Sequence, residues 1–281
     1  MLTARFRQYL RWQRVLTLVA GLSLGLLSSV FSDWIANQGV RWLPWIAGVA
    51  LLSSLGSALF LLRKPPGIEV AIESPLTIRS ATEAAQVARR GFIGFVPLYR
   101  PQPGAAAAAL DPTARAAAVE ALDFEQLQLE ASNLQPTITA IMSHATRLEH
   151  CWLLATSGQT APGSLAYARL LAVYLRQQKG LRCKIHYGQA FTISLDDDAL
   201  VLSKTYRQVQ RIIAQTTRLG LSPREIVADI TTGVRSMTLG MVLACLDGDQ
   251  DVEFVGTHYN AQGEPEGDLF PIIFSFQPNL E

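Results

Sequence analysis

The segment 222–246 contains the residue types and spacing of an anion-binding turn. A buried strand over 225–231 is predicted to end in threonines and Gly233, and a helix is predicted to begin at Val234. The unpaired N–H groups of that helix and the positive end of its dipole would converge on one spot, where Arg235 adds a charge. The pattern favours binding of a phosphate or a ribose, although threonine and glycine are also ordinary residues between a strand and a helix.

Other polar residues are weaker candidates. Thr156 and Ser157 end another predicted strand, where they could line the same crevice or form a plain turn. Asp229 could hydrogen-bond the loop that follows it instead of touching a ligand. His144 and His150 stand near each other in the sequence, but their helix and strand positions offer no metal-ligand geometry, so no metal site is expected.

The hydrophobic pattern predicts an alternating α/β scaffold for these residues. Strands are predicted at 91–99, 151–156, 183–188, 225–231, 251–257 and 271–276, the last at an edge, and helices at 80–90, 164–178, 200–220 and 234–246. The segment 101–121 is low in complexity and is expected to be an insertion with a short helix capped by Asp111 and Pro112.

Strands joined by helices of this length pair in parallel, so the fold class is an α/β, doubly wound, mostly parallel sheet. Ligands bind such sheets beyond the carboxyl ends of the strands, where the strand order reverses. If the first and fourth core strands flank that point, the loops 99–102 and 231–235 face the ligand.

The run Asp229-Ile-Thr-Thr-Gly-Val-Arg-Ser-Met237 resembles the D-x-T-G-G-T-K-x-M signature of CARF domains, the CRISPR-associated Rossmann folds that bind cyclic oligonucleotides. The similarity extends over 91–276 as an order of strands and helices, and it is motif-specific only around 222–246. Thr232 stands in place of the first glycine of the signature, Val234 in place of the threonine, and Arg235 in place of the lysine.

The resemblance implies a Rossmann-like domain with two binding loops. In the loop after the first strand, an aromatic residue and an arginine suit base stacking and phosphate pairing. The expected ligand contacts lie in these two loops and at the end of the second predicted strand. They are Tyr99, Arg100, Gln102, Thr156, Ser157, Thr231, Thr232, Gly233, Arg235, Ser236 and Met237.

The first 64 residues differ in composition from the rest of the chain. They carry seven basic side chains and one acidic side chain, whereas the whole chain of 281 residues has a net charge of only +1. Two uncharged runs reach roughly 27 and 32 Å as helices, close to the hydrocarbon thickness of about 30 Å. They predict a transmembrane hairpin with spans at about 14–32 and 42–62, whereas a cleaved signal peptide would have a shorter apolar run.

Basic residues flank this hairpin on the outside of both spans, so both termini are expected in the cytoplasm of a multi-pass inner (cell) membrane protein. The predicted domains are the hairpin (1–64), a linker with a connecting helix (65–90) and the CARF-like domain (91–281). Cys151, Cys183 and Cys245 are scattered and are expected to be buried thiols in a reducing compartment.

The resemblance, together with the two predicted spans, implies a type III CRISPR accessory membrane effector of antiviral defence. It would bind cyclic oligoadenylate in a CARF-like homodimer, form a tetramer or more in the lipid bilayer, and alter membrane integrity through a pore or depolarisation. A membrane-anchored ring nuclease and a SAVED-type sensor of another cyclic nucleotide remain alternatives. No appended hydrolase motif is visible, so the chain is not expected to be an enzyme, and neither a cofactor nor direct DNA or RNA binding is expected.

Overall fold

A computed structural model of the chain describes residues 68–280 except 73–74, 79, 159–162 and 263–264, together with residues 29, 49 and 52. The chain divides into two compact units, residues 1–70 with 278–281, and residues 71–277. The second unit contains the α/β sheet and every residue of the candidate site. β1 (Ile68–Ile72) and β10 (Phe276–Leu280) form a two-stranded sheet of their own.

The main sheet has eight strands in the order β2-β9-β8-β7-β3-β4-β5, and β6 also pairs with β4. Its strands are β2 (Leu76–Thr77), β3 (Gly91–Phe95), β4 (His150–Ser157), β5 (Lys184–His186), β6 (Thr192–Ser194), β7 (Ile226–Asp229), β8 (Asp251–Tyr259) and β9 (Pro265–Phe274). Strands β3 to β8 pair in parallel, whereas β9 and β2 are antiparallel. If β5 and β6 are counted as one position, the parallel positions lie in the order 3-2-1-4-5, numbered along the chain, which is the doubly wound order of Rossmann-like folds. The prediction of a mostly parallel α/β sheet is therefore confirmed.

Helices cover both faces of this sheet. They are α1 (Ala81–Val87), α2 (Pro112–Ala121), α3 (Phe124–Leu127), α4 (Gln135–Ser143), α5 (Leu165–Gln177), α6 (Asp198–Arg218) and α7 (Arg235–Gly248). α4 and α5 pack against Phe92 and Val227 on one face, and α6 and α7 pack against Phe95 and Ala228 on the other. The central strands β3, β4 and β7 are mostly apolar because both of their faces are buried.

Local signals account for several boundaries. Ser80 and Glu83 form a capping box at the start of α1. Asp111 caps α2 by accepting hydrogen bonds from two backbone N–H groups, which confirms the predicted helix in the segment 101–121. The three cysteines are free and buried, as predicted.

Three strand predictions need correction. β3 ends at Phe95 and not at residue 99, because Pro97 cannot donate to the ladder. The third parallel position is split between β5 and β6, since Gly188 turns the chain with a φ of 115°. β9 is not the edge strand of the sheet, since it lies between β8 and β2.

The two predicted spans, at about 14–32 and 42–62, lie outside the described residues except for residues 29, 49 and 52. Within the described part of the chain, no helix is long and apolar enough to cross a membrane. The longest, α6, has 21 residues but carries four basic side chains and buries only one face. This finding contradicts the prediction of a multi-pass inner-membrane protein with both termini in the cytoplasm, and that prediction is corrected accordingly.

Candidate anion-binding site at the carboxyl edge of the sheet

The candidate site lies where the strand order reverses. β3 and β7 are parallel neighbours, with Gly94 opposite Asp229 near their carboxyl ends. From these two strands the chain continues to opposite sides of the sheet, β3 towards β4 and β7 towards β8. The expectation that the first and fourth core strands flank the switch point is therefore confirmed.

The turn 230–234 is fixed against the end of β3. The Thr232 hydroxyl donates a hydrogen bond of 2.9 Å to the carbonyl oxygen of Phe95. Gly233 has a φ of 103°, and a Cβ atom at this position would lie 2.8 Å from Cδ2 of the Phe95 ring. Only glycine meets both the backbone requirement and the close approach to the ring.

The turn is also tied to β8. The Thr231 hydroxyl donates to Oδ1 of Asp229 and accepts a hydrogen bond of 2.8 Å from the backbone N–H of Val255. The backbone N–H of Thr231 also donates to Asp229 Oδ1, at 3.0 Å. Asp229 therefore bonds the loop, as the sequence suggested, and three strands hold the turn in one conformation.

Helix α7 begins at Arg235 directly after this turn. The residue at its N-cap position is Val234, whose side chain cannot accept a hydrogen bond, so it leaves the first N–H groups without a side-chain cap. Gly233, Val234 and Arg235 are exposed, and Ser236 is half-buried. Backbone donors, the helix dipole and one guanidinium are thus accessible at the same place, which is the chemistry that holds a phosphate.

Two buried carboxyl groups lie beneath the turn. Asp229 stands opposite Glu253 in the pairing of β7 with β8, and both side chains have no solvent exposure. Burial, and then the charge of Glu253, raise the pKa of Asp229 to about 7. Asp229 Oδ2 and Glu253 Oε1 have no hydrogen-bond partner among the described residues.

His144, the residue directly after α4, completes this buried group. Its Nδ1 accepts a hydrogen bond of 3.1 Å from the backbone N–H of Arg89, which places the proton of the neutral ring on Nε2. That nitrogen donates to Glu253 Oε2 at 2.9 Å. Glu253 is not among the predicted site residues, although Asp251 and Glu253 stand two residues apart in one strand and so must share one face.

The loop after β3 is placed differently from the expectation. The ring of Tyr99 is buried beside Tyr167 in the core, and its hydroxyl donates to the carbonyl oxygen of Leu127. It is therefore enclosed and does not offer a face for base stacking. Arg100 is exposed, and its backbone N–H donates to Asn133 Oδ1 at 2.7 Å.

Gln102 belongs to the same anchored segment. Its backbone N–H donates to Ala131 O at 2.8 Å, and its side-chain amide donates to Gln135 Oε1 at 3.3 Å. The described contacts of residues 99–102 thus tie this loop to residues 127–135 and not to the turn after β7.

The end of β4 has a structural role of its own. The backbone N–H of Thr156 donates to the Ser164 hydroxyl at 2.9 Å, and the N–H of Ser164 donates back to the Thr156 hydroxyl at 3.2 Å. Ser157 is half-buried and pairs with Ser194 of β6. The structure therefore brings together Thr231, Thr232, Gly233, Arg235 and Ser236, whereas Met237 is fully buried in the core.

The chain matches no model of a known protein family and no curated protein. Among the described residues, no group of three or more His, Cys, Asp or Glu side chains could hold a metal ion. Fold and site together define a Rossmann-like α/β domain with an accessible helix N-terminus at its switch point.

Proposed function

We propose that residues 71–277 form a sensor domain that binds a phosphate-bearing nucleotide at the turn 230–234. One observation supports this most directly: the start of α7 is open to solvent, and its preceding turn is locked onto the end of β3 through Thr232 and Gly233. Because the turn is fixed before a ligand arrives, little conformational entropy would be lost on binding.

Each residue of the turn has a distinct part in this proposal. The side chains of Thr231 and Thr232 and the backbone N–H of Thr231 are used within the protein, so these two residues position the turn. The exposed Arg235 guanidinium supplies the positive charge, and Ser236 follows it in the first helical turn. A phosphate would accept hydrogen bonds from these groups and from the first N–H groups of α7.

The ligand that we propose is a cyclic oligoadenylate, bound by a homodimer. Support for this identity comes from the resemblance of 229–237 to the CARF signature. A ring of several phosphates carries negative charges on opposite sides, so two copies of the turn could each hold one phosphate. A symmetric ligand of this kind favours a two-fold dimer, whose two binding surfaces are identical.

The proposal is tested by titrating the full chain with cyclic tri-, tetra- and hexa-adenylate, and by measuring the midpoint of thermal unfolding and the Kd. At least one ring is expected to raise the midpoint, because a ligand that binds the folded state stabilises it. Arg235→Ala should weaken that binding by at least about tenfold, since a charge-assisted hydrogen bond is lost.

Arg218→Ala is the matched control, because Arg218 is also an exposed helical arginine but lies in the last turn of α6. It should leave the Kd within about twofold of the original value. The proposal fails if no cyclic oligoadenylate shifts the midpoint, or if the two arginine variants weaken binding equally.

A further inference from the structure

A second basic surface lies between β6 and α6. Here a cavity of 230 Å³ is lined by Thr192, Ile193, Ser194, Lys204, Arg207, Gln208 and Arg211. We call it the β6–α6 cleft. β6 pairs with the carboxyl end of β4, so the cleft opens near the carboxyl edge of the sheet, but none of its lining residues belongs to the turn 230–234.

The charges of the β6–α6 cleft are unbalanced. Lys204, Arg207 and Arg211 are spaced by three and four residues and so lie on one face of α6. The helix contains no acidic residue after Asp198 that could pair with them. Like charges at this spacing destabilise a helix, so an anion bound in the cleft would relieve a repulsion present in the unliganded protein.

The polar contacts of the cleft leave much of this charge available. Lys204 Nζ donates to the Ser194 hydroxyl at 3.4 Å, and that hydroxyl donates to Asp196 Oδ2 at 2.7 Å. Asp196 is the carboxylate in these contacts, whereas Asp197 caps α6 by accepting a hydrogen bond of 3.0 Å from the backbone N–H of Ala199. Arg207 uses only Nε in a described bond, to the carbonyl oxygen of Ser203 at 3.1 Å.

The opposite wall of the cleft is held in place. Gln208 Nε2 donates to the carbonyl oxygen of Ala190 at 2.8 Å, which joins α6 to the turn before β6. Ile193 is buried in the core, so β6 cannot easily move away from the helix. β6 therefore forms a fixed wall beside the cationic side chains, and its Thr192 hydroxyl donates to the carbonyl oxygen of Gly188 at 3.1 Å.

From these observations we propose that the β6–α6 cleft is a second anion-binding site, specific for a phosphate or pyrophosphate group. Guanidinium groups pair with phosphate oxygens in a bidentate manner, and Lys204 adds a further positive charge to the cleft. The cavity of 230 Å³ is smaller than the roughly 300–1,000 Å³ of pockets that enclose a whole organic ligand. It therefore takes the phosphate end of a ligand, and any organic part extends into solvent.

Pyrophosphate binding to the full chain, measured by isothermal titration calorimetry at constant ionic strength, tests this assignment. The variant R207Q/R211Q is expected to weaken the cleft's affinity for pyrophosphate by at least about tenfold, because two guanidinium groups are removed. Thermal unfolding in low salt provides a second measurement. Without pyrophosphate, the double variant should unfold at the same or a higher temperature than the original chain, because the repulsion within α6 is gone.

Two further variants separate binding in the cleft from a general effect of positive charge and from binding at the turn 230–234. R218Q removes the same charge from the same helix outside the cleft, and it should change the Kd by less than about twofold. R235A removes the cation of the turn, and binding in the cleft should persist in it, so failure of this proposal and failure of the nucleotide site are distinguishable. Pyrophosphate affinity that is insensitive to R207Q/R211Q, or equally weakened by R218Q, would overturn the assignment.

Discussion

At the scale of single residues, Asp229 couples the stability of the fold to pH. Its carboxyl group is buried beside Glu253, and its pKa is raised to about 7. An unfolded aspartate has a pKa of about 3.9, so between roughly pH 4 and 7 the folded protein holds a proton that the unfolded chain has released. Folding stability from this group is therefore highest below about pH 4 and falls as the pH rises to 7.

Asp229→Asn is expected to remove this pH dependence. The amide oxygen can still accept from Thr231, but no buried charge has to form, so the variant should be more stable at pH 8 by up to roughly 4 kcal/mol and nearly unchanged at pH 4. Urea unfolding at pH 4, 6 and 8 measures the difference. Asp268→Asn, at an exposed position of β9, is the control. A stability difference that is the same at all three pH values would show that Asp229 does not titrate in this range.

Gly233 is the residue whose replacement should damage the turn directly. Gly233→Ala places a Cβ atom against the Phe95 ring in addition to the cost of a φ of 103°. Gly104 offers a matched control, since it has a φ of 86° and a Cβ atom added there meets nothing within 4 Å. We expect Gly233→Ala to cost roughly 1–3 kcal/mol more than Gly104→Ala in urea unfolding. Equal costs would mean that Phe95 moves aside freely.

At the scale of elements, the sequence was sufficient for most strands and helices, because their apolar runs and helical stripes are local patterns. β4, β7, β8, α5 and α7 fall within a few residues of their predicted bounds. The interior of the site was less accessible to prediction, because it depends on contacts between distant residues. Thr232 meets Phe95 across 137 positions, and His144 meets Glu253 across 109.

Tyr99 was predicted to contact a ligand but lies in the core, because its partner is also distant in the sequence. An aromatic residue beyond a strand end can contact a ligand or pack in the core. Tyr99 packs in the core, where its hydroxyl donates a hydrogen bond to the carbonyl oxygen of Leu127. Nothing in the residues next to Tyr99 encodes that partner. The β6–α6 cleft is similar: the basic spacing on α6 is readable, but the wall formed by β6 exists only because the third parallel position is divided between β5 and β6.

The packing of α6 on α7 depends on Gly240. A Cβ atom at this position would lie 2.6 Å from the carbonyl oxygen of Leu202 and 2.9 Å from Cβ of Thr205. Gly240→Ala gains about 1 kcal/mol of helix propensity, but the two helices must separate, so a net loss of roughly 1–3 kcal/mol is expected. Leu239→Ala, half-exposed on the same helix, should cost about 0.5 kcal/mol or less. Stabilisation by Gly240→Ala in urea unfolding would contradict the close approach of the helices.

At the scale of the whole α/β unit, the ion pairs of Asp251 and the candidate site lie at opposite ends of the parallel strands. Asp251 begins β8 and is fully buried. Its Oδ2 accepts from Arg89 Nη2 at 2.8 Å, just before β3, and its Oδ1 accepts from Arg224 Nη1 at 3.1 Å, just before β7. The Ser275 hydroxyl also donates to Oδ1, at 2.7 Å. One carboxylate thus joins the amino ends of three parallel strands, whereas the turn 230–234 lies at their carboxyl ends.

Removing this carboxylate should destabilise the unit as a whole. Asp251→Ala leaves Arg89 with an uncompensated charge in a largely buried site, so a loss of about 3–5 kcal/mol in the free energy of unfolding is expected. Asp249→Asn is the matched control, because Asp249 is partly exposed and contacts the same Arg224 at 3.4 Å, and it should cost about 0.5 kcal/mol or less. Below the lowered unfolding temperature, Asp251→Ala should still bind a nucleotide with unchanged Kd, since the turn 230–234 keeps its own contacts to β3 and β8. A variant that remains folded but loses that binding would show instead that the two edges of the sheet are energetically coupled.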